Sequence, residues 1–355
     1  MRIVVTGASG NVGTALLRTL RRAGDWQVTG IARHLPDRSR PPYDLADWVV
    51  CDVGEPDATD RLADVFAGAS AVVHLAWAIH PHRDDPPMHR TNVSGSEHVL
   101  AAAARAHVPH LVAASSVAAY EAPQRWVRID ENWPRHGIPG SAYSRGKVIF
   151  ERMLDEFSAR HPDVTVARIR PCAILQHDAG GQFARWTLSP LLPERLLGQR
   201  WLPLPWWKGL RAQVVHAGDV ATALQAIVVR GAGGAFNLAT EPVLSGSDLA
   251  RPFGGGPRIP VPRWPSSAAA WLGWRMGLQP LHPGWLVLAD KAALVDTDRA
   301  RRVLGWRPEH DAHDVLAELA AGLRAGAGTG SHPLRPLDWK GRLGRGRPTH
   351  QSQAG

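Results

Sequence analysis

The sequence predicts an α/β fold, a doubly wound parallel sheet followed by a smaller, irregular C-terminal region. Short apolar runs alternate with longer stretches of helical periodicity through the first half of the chain. A glycine-rich turn separates the first run from the first helix, and near Arg170 the alternation gives way to Pro- and Trp-rich sequence. Strands that are apolar at consecutive positions are buried on both faces, as happens when crossover helices cover a parallel sheet.

Strands are expected at residues 3–6, 27–32, 48–51, 71–75, 110–114 and 164–169, with helices between them at 12–23, 59–66, 88–106 and 142–160. Past Arg170, a stretch such as 201–207 reads as loops and short helices rather than more sheet. Val214 and Val215 then lead into a helix at 219–229, and 235–238 reads as a strand, so the chain returns to the sheet before leaving it again. Residues 331–355 lack apolar periodicity and are rich in Gly, Pro, Arg and Gln, the composition of a disordered tail. No internal repeat is visible.

With 355 residues the chain has room for two domains or one elaborated domain. Its formal charge of +9 raises nucleic acid as a partner, but Arg335, Lys340, Arg342, Arg345 and Arg347 stand against Asp338 alone, so the tail accounts for much of that excess. No basic helical stripe or aromatic platform accompanies it, which argues against nucleic acid and leaves an anionic small molecule as the outlet. Cys51 and Cys172 have neither CxxC nor Cys/His spacing, so no disulfide framework and no metal site are expected. An immediate first strand predicts no secretory leader and hence a cytoplasmic location. The apolar stretch 268–288 is broken by Arg275, Pro280 and Pro283, which excludes a membrane span there.

Chemistry enters with Thr6-Gly7-Ala8-Ser9-Gly10-Asn11-Val12-Gly13, directly after the first strand. Glycines at this spacing turn the chain sharply and let a pyrophosphate approach the free N–H groups of the following helix, a dinucleotide-binding loop. About twenty residues further on, an acid binds the ribose of NAD, whereas an Arg accommodates the 2′-phosphate of NADP. The residue here is Arg33, with His34 and Arg38 following, so NADP is favoured over NAD. Asp52, after the third strand, is placed to meet the adenine edge or to close a turn. Residues 1–172 are therefore read as a Rossmann-like dinucleotide-binding domain to which 213–240 return, with 173–212 and 241–330 as the substrate-binding region.

Tyr143 and Lys147 lie four residues apart, on one face of a predicted helix. An ammonium beside a phenol favours the phenolate, so Tyr143 is expected to exchange a proton with a substrate oxygen while Ser116 holds that oxygen by hydrogen bond.

The sequence resembles the extended short-chain dehydrogenase/reductases, the family of NAD-dependent epimerases and dehydratases. The resemblance runs from Met1 to about Pro308 and rests on the glycine loop, Cys51-Asp52-Val53, His74-Leu75-Ala76, Asn92-Val93 with Gly95, Ser115-Ser116, the Tyr143–Lys147 segment, Arg170-Pro171, Val215-His216 with Asp219-Val220, Phe236-Asn237 and the 300–308 stretch. It implies that Ser116, Tyr143 and Lys147 are catalytic. It also implies a cofactor site lined by Gly7, Ser9, Gly10, Asn11, Val12, Gly13, Arg33, Asp52, Val53, Leu75, Ala76, Trp77, Asn92, Ser115, Tyr143, Lys147, Pro171 and Ala173. A homodimer through the helices at 88–106 and 142–160 is a further implication, while His74 and His216 are expected in the core or at sheet ends rather than as ligands.

Departures from the family pattern narrow the reaction. Val117 and Ala118 stand where 4,6-dehydratases carry Asp and Glu, which disfavours dehydration. Ala212 stands where many sugar-nucleotide enzymes place a phosphate-gripping Arg, with Arg211 one place off. Trp186, Trp201, Trp206, Trp207, Trp271, Trp274 and Trp285 suit an apolar or ring-shaped substrate, or serve as packing anchors. Three readings follow: an epimerase or oxidoreductase, possibly of a nucleoside-diphosphate sugar; an NADP-dependent reductase of a lipophilic ketone or aldehyde; and a non-catalytic dinucleotide sensor.

Overall fold

The computed structural model describes residues 1–79, 87–187, 204–207, 209–253, 258–261, 271–276 and 281–338. Its centre is a seven-stranded, wholly parallel sheet. In chain order the strands are β1 (Arg2–Thr6), β2 (Gln27–Ala32), β3 (Ala46–Val50), β4 (Ala71–His74), β5 (His110–Ala114), β6 (Thr165–Pro171) and, added at the edge beyond β6 after a long excursion, β9 (Gly234–Leu238). The spatial order β3-β2-β1-β4-β5-β6-β9 reverses direction at β1, and the crevice at that switch point is where open α/β sheets bind ligands.

Alternate residues sort the two faces. Ile3 and Val5 of β1, Ala71 and Val73 of β4 and Val112 of β5 pack against helices α1 (Asn11–Ala23) and α6 (Ala217–Arg230). Val4, Val72, Leu111 and Ala113 face the other way, onto α2 (Ala58–Phe66), α3 (Gly95–Arg105) and α4 (Ala142–Arg160). The period of two across a strand thus gives two cores from one apolar run. A short strand β7 (Ala173–Leu175) pairs with β8 (Val214–His216) outside the main sheet, and a smaller cluster forms around α9 (Ala312–Ala325), which follows α5 (Gly180–Thr187), α7 (Pro283–Lys291) and α8 (Asp298–Leu304) in the chain.

The expected helix at 88–106 has an internal departure: Arg90–Ser94 form a π turn before α3. The expectation of disorder from residue 331 onward fails for 331–338. Leu334 is wholly buried in the α9 cluster, the Leu337 N–H donates to Gly326 O at 2.8 Å, and Arg185 of α5 donates to the carbonyls of Arg335 and Pro333. Residues 339–355 lie outside the described residues. Among the described residues no helix is long and apolar enough to cross a membrane.

Candidate functional site

The glycine loop joins the C-terminal end of β1 to α1. Gly7 has φ +71°, and a Cβ there would stand 2.7 Å from the Ala76 nitrogen, so any side chain would collide with the loop after β4. At Gly13 a Cβ would lie 2.5 Å from the carbonyl oxygens of both Gly7 and Ala8. The cradle is held by Gly7 N–H donating to Ile31 O and Gly10 N–H to Gly7 O. Gly10 caps α1 without a side-chain hydrogen bond, so the first-turn N–H groups of Asn11, Val12 and Gly13 are open to an anion. Ser9 is buried beneath the turn, and the Asn11 amide donates to Ile174 O (3.2 Å) while accepting from Gln176 at 2.6 Å. This locks the loop to the segment 171–176, where Pro171 ends β6 and Ala173 is exposed. A pyrophosphate fits this cradle, because its backbone is bare where phosphates must approach.

The walls divide into residues that face the crevice and residues that hold others in place. Arg33 is exposed just past β2. Leu75 and Ala76 follow β4, and the Ala76 N–H reaches Thr6 Oγ1. Asn92, in the π turn, exchanges a pair of hydrogen bonds with the Ala78 backbone (2.7 and 2.9 Å) and is buried, so it fixes the loop that carries Ala76 and Trp77. Asp52 closes a turn through Gly54 N–H and pairs with Arg90 at 3.1 Å; Val53 is buried against α3. The buried His74 bridges Thr6 and Ser96, and burial together with the Lys147 charge pushes it down to about 3, which makes it a neutral core residue.

Ser116, Tyr143 and Lys147 come together at the end of β5. Ser115 N–H still pairs with Ile169 O, and Ser116 then turns out of the sheet, accepting from Ala118 N–H at 3.1 Å. Ser141 caps α4, and Ser144 donates to Ala118 O at 2.7 Å, which ties the start of the helix to the Ser116 loop. Burial raises the phenol's pKa, against the lowering effect of the Ser116 hydroxyl beside it. This is opposite to the direction expected from Lys147, and the reason is tertiary. The ammonium donates to Ala114 O at 2.8 Å and lies 3.3 Å from the centre of the Trp77 ring, but 5.9 Å from that of Tyr143. Burial holds Lys147 well below the usual lysine range, with Glu151 opposing that shift.

Two contacts of these elements are not announced by the motifs themselves. Trp77 carries a buried indole N–H with no partner in the protein, beside Lys147. Glu151, one turn beyond Lys147, accepts from Arg170, Arg168 and Arg135; Arg170 also reaches Tyr120, whose hydroxyl donates to Asn237. The spacing of Tyr143, Lys147 and Glu151 at successive fourth positions was the available hint. Among the tryptophans, Trp285 of α7 lies 5.1 Å from the Tyr143 ring, Trp186 packs on Phe183, Trp274 lies edge-on to His282, and Trp271 is exposed. Trp201 lies outside the described residues, and only the backbone of Trp206 and Trp207 is described; it forms a strand, Leu204–Trp207, parallel to Arg258–Val261, where loop or short helix is expected from the sequence. Arg211, one place from the expected phosphate-gripping position, is buried and donates to Asp290 O.

The fold is that of the extended short-chain dehydrogenase/reductases. A structure of UDP-glucose-4-epimerase from Stenotrophomonas maltophila with bound NAD and formylated UDP-arabinopyranose is similar over 92% of this chain and 98% of its own, with a TM-score of 0.68 at 22% identity. The model of the NAD dependent epimerase/dehydratase family matches residues 3–239, and the chain belongs to that family. A 3-diazoavenalumate denitrifying reductase from Streptomyces sp is 32% identical over 87% of this chain and 97% of its own length. A 4-hydroxy-2-methyl-3-oxo-4-farnesyl-3,4-dihydroquinoline-1-oxide ketoreductase from Stigmatella aurantiaca is 26% identical over 94% and 99%. Reductases and sugar-nucleotide epimerases are thus both among its relatives.

Proposed function

We propose that this protein is an NADP(H)-favouring reductase of an apolar or aromatic carbonyl compound, with Ser116, Tyr143 and Lys147 as its catalytic residues. The observation that carries the reading is the placement of Ser116, Tyr143 and Lys147 together where β5 ends against the start of α4, beside the glycine cradle. When bound, the nicotinamide supplies the hydride. The protein's part is the proton: a phenol whose pKa is raised by burial stays protonated at neutral pH and is suited to give its proton to a nascent alkoxide. Ser116 Oγ accepts from Ala118 N–H, and its O–H, which faces Tyr143 in the free protein, would turn to hold the substrate oxygen. Lys147 adds positive charge below the site, shared with the Trp77 face.

Gly7, Ser9, Gly10, Asn11, Val12 and Gly13 would hold the pyrophosphate, and Arg33 the adenosine 2′-phosphate. Asp52, Val53, Leu75, Ala76, Trp77, Asn92, Ser115, Pro171 and Ala173 would border the rest of the cofactor, some by holding its walls.

Choice of a reductase over a sugar-nucleotide epimerase rests on Arg211. Its guanidinium is turned into the protein onto Asp290 O, and Ala212 offers no charge for a diphosphate. Trp285 and Trp77 flank Tyr143 instead, an aromatic setting for a planar substrate. The ketoreductase relative points the same way. The test is NADPH consumption against a panel of aryl and long-chain ketones and aldehydes, alongside UDP-glucose epimerisation. Net oxidation of NADPH with an aromatic carbonyl supports the reading; epimerisation of UDP-glucose without net oxidation overturns it.

A further inference from the structure

The segment after α9 folds back onto the loop that follows β2. Thr329 Oγ1 meets Tyr43 Oη at 2.6 Å, and that hydroxyl also meets Thr14 Oγ1 of α1 at 3.1 Å, so the segment is tied to the helix of the glycine cradle. Asp37 N–H donates to Gly330 O at 2.8 Å, and Thr329 N–H to Leu334 O at 2.7 Å. Leu334 and Ser331 are buried anchors beneath. The consequence is a stack of His332 on His34, ring centres 4.5 Å apart and planes 21° from parallel. Arg335 in turn donates to His332 Nε2 at 3.1 Å, which leaves the proton of neutral His332 on Nδ1 as a donor.

Arg33 and His34 from the end of β2 therefore meet His332 and Arg335 from a segment some three hundred residues later. Two arginines and two imidazoles thus share one exposed patch, a set of donors that suits an anion. Asp37, the acid of the same loop, is committed to Ser39 N–H, the Ser39 hydroxyl and Arg40. Burial and the nearby charges of Arg335, His34, Arg33 and Arg185 lower the His332 pKa.

We propose that residues 329–335 form the second wall of the pocket for the adenosine 2′-phosphate of NADP(H), with His332 and Arg335 joining Arg33 and His34 around that group. The proposal rests on the NADP reading given above. It makes cofactor choice a property of two chain segments, the end of β2 and the C-terminal strap. A phosphate monoester takes hydrogen bonds on three oxygens and matches forked guanidinium donors, which the ribose hydroxyl of NAD does not.

The test titrates the full-length protein, H332A, R335Q and the double variant with NADP and NAD, and with adenosine 2′,5′-bisphosphate and AMP as probes free of nicotinamide, by calorimetry or tryptophan fluorescence. Both side chains are exposed and both backbones remain, so the contact of Arg185 with the Arg335 carbonyl is retained; an unchanged unfolding midpoint verifies this. Wild type is expected to prefer the 2′-phosphorylated member of each pair. Each single variant reduces that preference roughly 10-fold, and the double variant reduces it further, while NAD and AMP affinities hold. A double variant that keeps the wild-type preference overturns the strap assignment and leaves the NADP reading intact. A wild type with no preference for either phosphorylated ligand overturns both.

Discussion

Replacing Glu151 with Gln removes a charge on which three arginines converge. Arg170 binds it through Nε and NH2 (2.8 and 2.9 Å), Arg168 at 3.0 Å and Arg135 at 3.1 Å. The Glu151 side chain is 1% exposed and that of Arg170 3%, so water does not replace what is lost. Arg168 and Arg135 keep Asp155 as a partner, but Arg170 keeps only the neutral oxygens of Tyr120 and Glu131. Breaking a buried pair of this kind costs about 3–5 kcal/mol.

Titration leads to a similar figure. Burial works against ionisation of Glu151, but the hydrogen bonds and charge of Arg170, with Arg168, prevail and hold it at about 2 against an ordinary 4.5. At about 1.4 kcal/mol per pH unit, that difference is worth about 3 kcal/mol. A folded-state pKa below the unfolded value gives stability that is complete above pH 4.5 and is lost as pH falls toward 2. Urea unfolding of wild type and Glu151→Gln at neutral pH and near pH 3 measures both effects. The variant is expected to be less stable by about 3 kcal/mol at neutral pH, and the gap to shrink to less than half near pH 3. A gap within about 0.5 kcal/mol at neutral pH, or one that does not change with pH, would refute the argument.

Gly13→Val sets a side chain against two carbonyl oxygens 2.5 Å from its Cβ, so nucleotide binding measured by calorimetry is expected to be lost, with destabilisation of at least about 1–3 kcal/mol. Asn92→Ala frees the Ala78 backbone from two hydrogen bonds; dinucleotide affinity is expected to fall about 10-fold while hydrogen exchange accelerates in residues 76–78. Trp285→Ala removes the ring beside Tyr143, and the KM for an aryl ketone is expected to rise about 10-fold relative to that for a short aliphatic aldehyde.

Much of this architecture is legible in the sequence, because the signals that specify it are local. Residues 27–32, 110–114 and 142–160 fold as elements with the expected bounds, each a continuous apolar run or a clear helical stripe. β3 begins two residues early because Ala46 and Asp47 pair with Val28 and Thr29, a pairing that an exposed edge strand does not announce by hydrophobicity. The strap at 329–335 is hidden for a different reason. Gly, Pro and Arg read as disorder, and a single buried Leu334 has no period to detect. Likewise the spacing of Tyr143 and Lys147 shows that they share a face, but not that Trp77, from another strand end, takes the ammonium and leaves burial to set the phenol's pKa.

The account stands most directly on Tyr143→Phe, which removes one oxygen and keeps the ring between Trp77 and Trp285. Single-turnover oxidation of bound NADPH by an accepted carbonyl compound, with NADPH affinity measured on the same samples, isolates proton transfer from binding. The variant is expected to bind NADPH as wild type does and to react about 10²–10⁴-fold more slowly. A variant that reacts at the wild-type rate would contradict the assignment of the proton to Tyr143.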